Sequence, residues 1–137
     1  MADESPNRSI AAADHSDRLI AVKEAGGSVE RVSQILAACD ITVLSGDDAL
    51  TIPMMSVGAK GIISVASNII PAEVKEMVAA MAAGELAKAR ELHQKYYPVF
   101  RDMFIDTNPI PIKAAMAMKG LINEEYRLPL CEMSEAD

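Results

Sequence analysis

A single lysine, Lys23, ends the apolar run Leu19-Ile20-Ala21-Val22, and Gly26-Gly27-Ser28 follow before a helical pattern begins. A lysine delivered from the carboxyl end of a strand, with apolar residues behind it, is a candidate amine nucleophile, because desolvation disfavours an ammonium ion. Such an amine adds to a ketone and loses water to give a Schiff base. Spacing alone does not separate a reactive lysine from a solvated one. The rest of the sequence has to decide.

Two further clusters end apolar runs in the same way. Ser45-Gly46-Asp47-Asp48 follows Ile41-Thr42-Val43-Leu44, and Ala66-Ser67-Asn68 follows Gly61-Ile62-Ile63-Ser64-Val65. Parallel β/α proteins carry their chemistry at the carboxyl ends of the strands, so Lys23, Ser45 to Asp48 and Ser67 to Asn68 are all expected on one rim. Metal chemistry is not indicated. His15 and His93 have no second ligand at helical spacing, and Cys39 and Cys131 lack a metal-ligand spacing. No metal and no cofactor is implied, and the cysteines read as reduced cytosolic thiols.

Composition narrows the partners. With a net charge of -7, 4% aromatic residues and no tryptophan, neither a nucleic-acid groove nor an anionic membrane surface is expected as a partner. The longest uncharged stretch, Gly61 to Ala72, is too short to span a bilayer. The first residues carry Asp3, Glu4 and Pro6 and no basic-then-apolar pattern, so a cytoplasmic location is expected.

Three runs must position the rim. They are apolar without alternation, which predicts strands at 19–22, 41–44 and 61–65 in a parallel sheet covered on both faces. Ser28 predicts an N-cap for a helix through Val29, Val32, Ile35, Leu36 and Cys39. Asp47 or Asp48 is expected to cap a second helix ending at Gly58, with Pro53 in its first turn. Pro71 predicts the start of a third helix, stopped by Gly84, and a long fourth helix runs from Glu85 towards Met103, kinked by Pro98. Asn108 to Lys113 reads as an extended lead-in to a last helix, Ala114 to Met118, closed by Gly120. Met54, Met55, Met77, Met81, Met103, Met116 and Met118 are expected to fill the core. Glu24 reads as a salt-bridging residue, and Lys60 and Lys113 as surface charges.

The runs Ala21-Val22-Lys23-Glu24-Ala25, Leu44 to Asp48, Gly61 to Asn68, Asn108-Pro109-Ile110-Pro111-Ile112-Lys113 and Arg127-Leu128-Pro129 occur in this order. Together they resemble the C-terminal half of the 4-hydroxy-tetrahydrodipicolinate (dihydrodipicolinate) synthase family, pyruvate-dependent class I aldolases. The Ser-Gly-Asp-Asp turn and the Asn-Pro-Ile-Pro-Ile-Lys segment favour it over the sister N-acetylneuraminate lyases. The resemblance implies an α/β fold, a partial TIM (β/α)8 barrel of about strands six to eight followed by C-terminal helices. Residues 1–17 would be a leader, 18–83 three β/α units and 84–137 a helical segment. It implies that Lys23 forms the pyruvate imine, whose enamine attacks aspartate semialdehyde on the way to diaminopimelate and lysine. Gly46 would let the backbone approach pyruvate, and the Ile63 carbonyl would lie against the keto acid. Asp47, Asp48 and Asn68 also match motif positions, where capping and rim packing are expected of them. Full-length members imply a homo-oligomer, a tetramer.

Several family features are missing. The Gly-Thr-Thr-Gly-Glu turn that holds the pyruvate carboxylate, the relay tyrosine's strand, the arginine for the aldehyde substrate and the final helix have no counterpart in this sequence. Gly26 replaces the usual Ser or Thr, which is expected to loosen the turn. A truncated chain with exposed apolar surface and weak or absent activity alone is therefore expected, since three strands close no barrel. The other reading is a non-catalytic remnant acting as an interaction module.

Overall fold

Val22, Ile41 and Val43 are the residues on which the strands are laid down. They turn towards one side, where the helices cover them. The structure, a computed structural model, describes residues 18–134; the expected leader at 1–17 lies outside them. Strand β1 (Ala21–Glu24) pairs in parallel with β2 (Thr42–Ser45), with Lys23 opposite Leu44 and Glu24 opposite Ser45. β1 therefore begins two residues later than expected. Leu19 and Ile20 precede the paired register, and Ile20 is 80% exposed.

Helix α1 (Val29–Ala38) starts where Ser28 stands in extended backbone and accepts the Arg31 N–H on its Oγ at 3.3 Å. That hydroxyl satisfies one of the donors that every helix start leaves unpaired. Val32 and Ile35 of α1, Ile41, Val43 and Met54 form one core, and Val22, Leu36 and Leu50 pack against it. Helix α2 (Thr51–Ser56) is short, with Pro53 in its first turn, and Gly58 follows it at φ +120.

The third expected strand is reduced to a single parallel bridge, Ser45 to Ile62. A 3-10 turn at Ala66–Asn68 leads to α3 (Pro71–Ala82), which opens on its proline as expected. Helix α4 (Leu86–Asp102) runs unbroken through Pro98 and packs on α3. Ala66, Val74, Met77, Ala80, Ala89 and Phe100 make the second core. Burying each large side chain of these clusters is worth about 1.5–3 kcal/mol. Helix α5 (Ile110–Met118) takes in most of the segment expected to be extended. Pro111 falls within its first turn, where a missing N–H costs nothing, and Ile110, Ile112 and Ala114 are buried.

Three other expectations change. The sheet is covered on one face only: Ala21, Lys23 and Ile63 are exposed on the side away from the helices. Met54, Met77 and Met103 are buried, but Met118 is 85% exposed because it ends α5 beyond the buried turn. Lys113 is not merely a solvated charge. Its Nζ donates to the Glu125 carbonyl and lies 4.9 Å over the Tyr126 ring, tying the C-terminal segment to α5. Among the described residues no helix is long and apolar enough to cross a membrane.

Candidate active site

The two-residue period of β1 places Lys23. Val22 turns to the helices, so Lys23 turns to the uncovered face, and Glu24 is buried again. The Glu24 carboxylate holds the turn after the lysine. Its Oε1 accepts the Gly26 N–H at 2.7 Å, and its main-chain carbonyl accepts the Gly46 N–H at 2.7 Å. A Cβ on Gly26 would stand 2.8 Å from both that oxygen and Arg31 Nη1. The glycine therefore makes the turn after the lysine tighter, where the sequence suggested it would be looser.

Gly46 sits directly against the lysine. A Cβ built on it would be 2.8 Å from Lys23 Cε and 2.5 Å from Ala25 Cβ, so only glycine lets turn and side chain approach this closely. The next strand is tied to the same turn: Ser45 N–H donates to the Gly61 carbonyl and Ile63 N–H to the Ser45 carbonyl, each at 2.8 Å. Lys23, Gly46 and Ile63 thus meet at one carboxyl-end corner. Asn68 lies off it, with its side-chain amide on the Val65 carbonyl at 2.9 Å.

Ser45 and Asp48 hold this corner together, and sequence reasoning underrated both. Each is fully buried. Ser45 Oγ donates to the Asp47 carbonyl at 2.8 Å and accepts the Asp47 N–H at 3.1 Å. The Asp48 carboxylate accepts the Ser64 hydroxyl, the Val65 N–H at 3.0 Å and the Ala66 N–H at 3.1 Å. It therefore does not cap α2, as expected, but anchors the loop after the third run. Asp47 keeps a local role, with Oδ1 accepting the Ala49 N–H at 3.0 Å. A polar residue ending an apolar run and followed by Gly-Asp-Asp was the signal available. Which aspartate turned inward was not.

An apolar groove of about 440 Å³ lies elsewhere, between Leu44, Gly61 and Ile62 and the Val74 and Val78 side of α3. It includes none of Lys23, Gly46 and Ile63, and it lies along the open strand edge. Among the described residues no group of three or more His, Cys, Asp or Glu is arranged to hold a metal ion.

A lysine, a glycine turn and the following run's backbone lie together at the carboxyl ends of parallel β/α units, the end at which β/α-barrel proteins carry their sites. The chain belongs to the dihydrodipicolinate synthetase family, whose profile matches residues 7–137. It is 51% identical over 117 residues to a 4-hydroxy-tetrahydrodipicolinate synthase of Methanococcus maripaludis, covering 85% of this chain and 40% of that protein. Among solved structures it is similar to the dihydrodipicolinate synthase of Aquifex aeolicus, with TM-score 0.92 and 44% identity over 96% of this chain and 45% of the other. It also resembles the 4-hydroxy-tetrahydrodipicolinate synthase of Methylacidiphilum fumariolicum SolV, with TM-score 0.94, 46% identity, and 98% and 45% covered. The chain spans less than half the length of these relatives.

Proposed function

We propose that Lys23 is the amine that condenses with pyruvate, and that the chain supplies the lysine-bearing rim of a synthase joining pyruvate to aspartate 4-semialdehyde. Residues 18–83 correspond to barrel strands six to eight with their helices, and the described residues after 83 to the helical appendage. The amine nitrogen adds to the keto carbon, and the carbinolamine loses water. The protonated imine is then an electron sink that eases loss of a methyl proton. The enamine carbon so formed bonds to the aldehyde carbon, whose oxygen takes up a proton. The reading also carries a homo-oligomer, tetrameric in the full-length family, which rests on the resemblance, and keeps the cytoplasmic location expected above.

One observation carries the proposal: Gly46 brings its backbone against Lys23, so close that a Cβ there would be 2.8 Å from the lysine Cε. Pyruvate's carboxylate clamp and the proton relay belong to segments without a counterpart here, so turnover by this chain alone is expected to be weak or absent. Imine formation is the step to test. Borohydride added with pyruvate should give a reduced adduct mapped to Lys23 by peptide mass and lost in Lys23→Ala. An unmodified protein at millimolar pyruvate would leave Lys23, exposed on the uncovered face, as an ordinary solvated lysine.

A further inference from the structure

A regular parallel ladder continuing past Ser45 would add two bonds, Asp47 N–H to the Ile63 carbonyl and Val65 N–H to the Asp47 carbonyl. Neither forms. The Asp47 N–H is taken by Ser45 Oγ at 3.1 Å, and the Asp47 carbonyl is occupied by the Ser45 and Thr51 hydroxyls at 2.8 and 3.1 Å and by the Leu50 N–H at 3.2 Å. The Val65 N–H is taken by the Asp48 carboxylate at 3.0 Å. Both of the diverting side chains, Ser45 and Asp48, are fully buried.

The consequence falls on Ile63. In a strand the N–H and C=O of one residue leave on the same side, and the Ile63 N–H points to Ser45. The same geometry at Ile63 would send its carbonyl towards the Gly46 turn, and no backbone N–H of a described residue donates to it. An unpaired main-chain acceptor needs a donor from solvent or ligand. Its backbone is nevertheless fixed on both sides: by the Ser45 carbonyl at its own N–H, and by Asp48 at Ser64, Val65 and Ala66.

We propose that Ser45 and Asp48 are positioning residues that stop the ladder at the Ile63 N–H, so that the Ile63 carbonyl stays unpaired, fixed and open to a donor of the lysine–pyruvate adduct. The catalytic consequence rests on the reading of Lys23 given above; the diversion of the ladder does not. Removing the Ser45 hydroxyl frees the Asp47 N–H to pair with Ile63 and occupies the acceptor.

The test compares the wild-type chain with Ser45→Ala, Asp48→Asn and the core variant Ile35→Val, which controls for lost stability. In Ser45→Ala the rate of borohydride trapping at saturating pyruvate should fall about tenfold or more, with the half-saturating pyruvate concentration changed by less than about twofold. Ile35→Val should trap at the wild-type rate. The Ile63 carbonyl ¹³C resonance should move downfield in Ser45→Ala as it gains the Asp47 N–H. A folded Ser45→Ala that traps like wild type overturns the positioning role, as does a drop of the same size in Ile35→Val. An unmoved Ile63 resonance overturns the diversion itself. If the wild-type chain forms no adduct, the Lys23 reading and the catalytic role fall together, and the resonance alone then decides the diversion. Should Asp48→Asn not fold, the nearly isosteric Ser45→Ala carries the test.

Discussion

Gly46 lies so close to Lys23 that a methyl group on its α-carbon would stand 2.8 Å from the lysine Cε. The lysine's flexible end could give way. Ala25 could not, since its Cβ and Cα would be 2.5 and 3.1 Å from the same methyl. Gly46→Ala should therefore cost about 1–3 kcal/mol of stability by overpacking, measured by urea denaturation. It should also lower pyruvate trapping about tenfold or more, because a displacement near 1 Å at a reacting group is expensive. A folded variant trapping at the wild-type rate would show that the close approach has no part in imine formation.

Ile20 and Ile35 are the same residue type in opposite situations, 80% and 1% exposed. Ile35→Ala should cost about 2–5 kcal/mol, and Ile20→Ala less than about 0.5 kcal/mol, in denaturation of the chain alone. Joining the chain to the first five β/α units of a relative should make Ile20→Ala costly as well, because the added units then pack on it. Equal costs in the two contexts would mean that nothing packs on Ile20.

How much of this could be read in the sequence differs from one segment to the next. The order of the elements could be, because Ser28, Pro71 and the glycines at 58 and 84 act locally on the backbone. That Lys23 and the Gly46 turn share a rim was also legible, because each ends an apolar run of a parallel β/α pattern. The length of the third strand was not. It depends on whether Asp47 and Val65 bond to each other's strands or to Ser45 and Asp48, and that choice is made by buried side chains far apart in sequence. Nor was the start of α5 at Ile110. Two prolines suggested extended chain, yet burial of Ile110 and Ile112 favours the helix, and Pro111 is tolerated in its first turn.

Tyr126 offers a spectroscopic handle on the C-terminal segment. Burial and the hydrogen bond to Glu124, 2.9 Å away, push its hydroxyl from the ordinary 10.0 up to about 12. In an ultraviolet absorbance titration the Tyr126 phase should come late, and Tyr126→Phe should remove it. Folding favours the protonated phenol, so this contribution to stability is fully present below pH 10 and is lost as the pH rises towards 12. A single tyrosine phase near 10 would detach the segment from α5.

His93 on α4 makes stability depend on pH at the other end of the scale. Its ring centre lies 6.1 Å from those of Tyr97 and Phe100, and its buried Nδ1 has no hydrogen-bond partner. Burial lowers its protonation midpoint below the ordinary 6.5. The unfolded chain therefore binds a proton that the folded chain resists, and stability falls as the pH drops from about 6.5 towards the folded midpoint, then levels off. Replacing the ring by leucine removes that proton and an unsatisfied polar atom together. His93→Leu should thus raise the urea midpoint at neutral pH, by the equivalent of about 1 kcal/mol, and its advantage should widen on going from about pH 7.5 to about pH 5.5. A constant difference across that range would mean that the histidine protonates as readily in the fold as outside it.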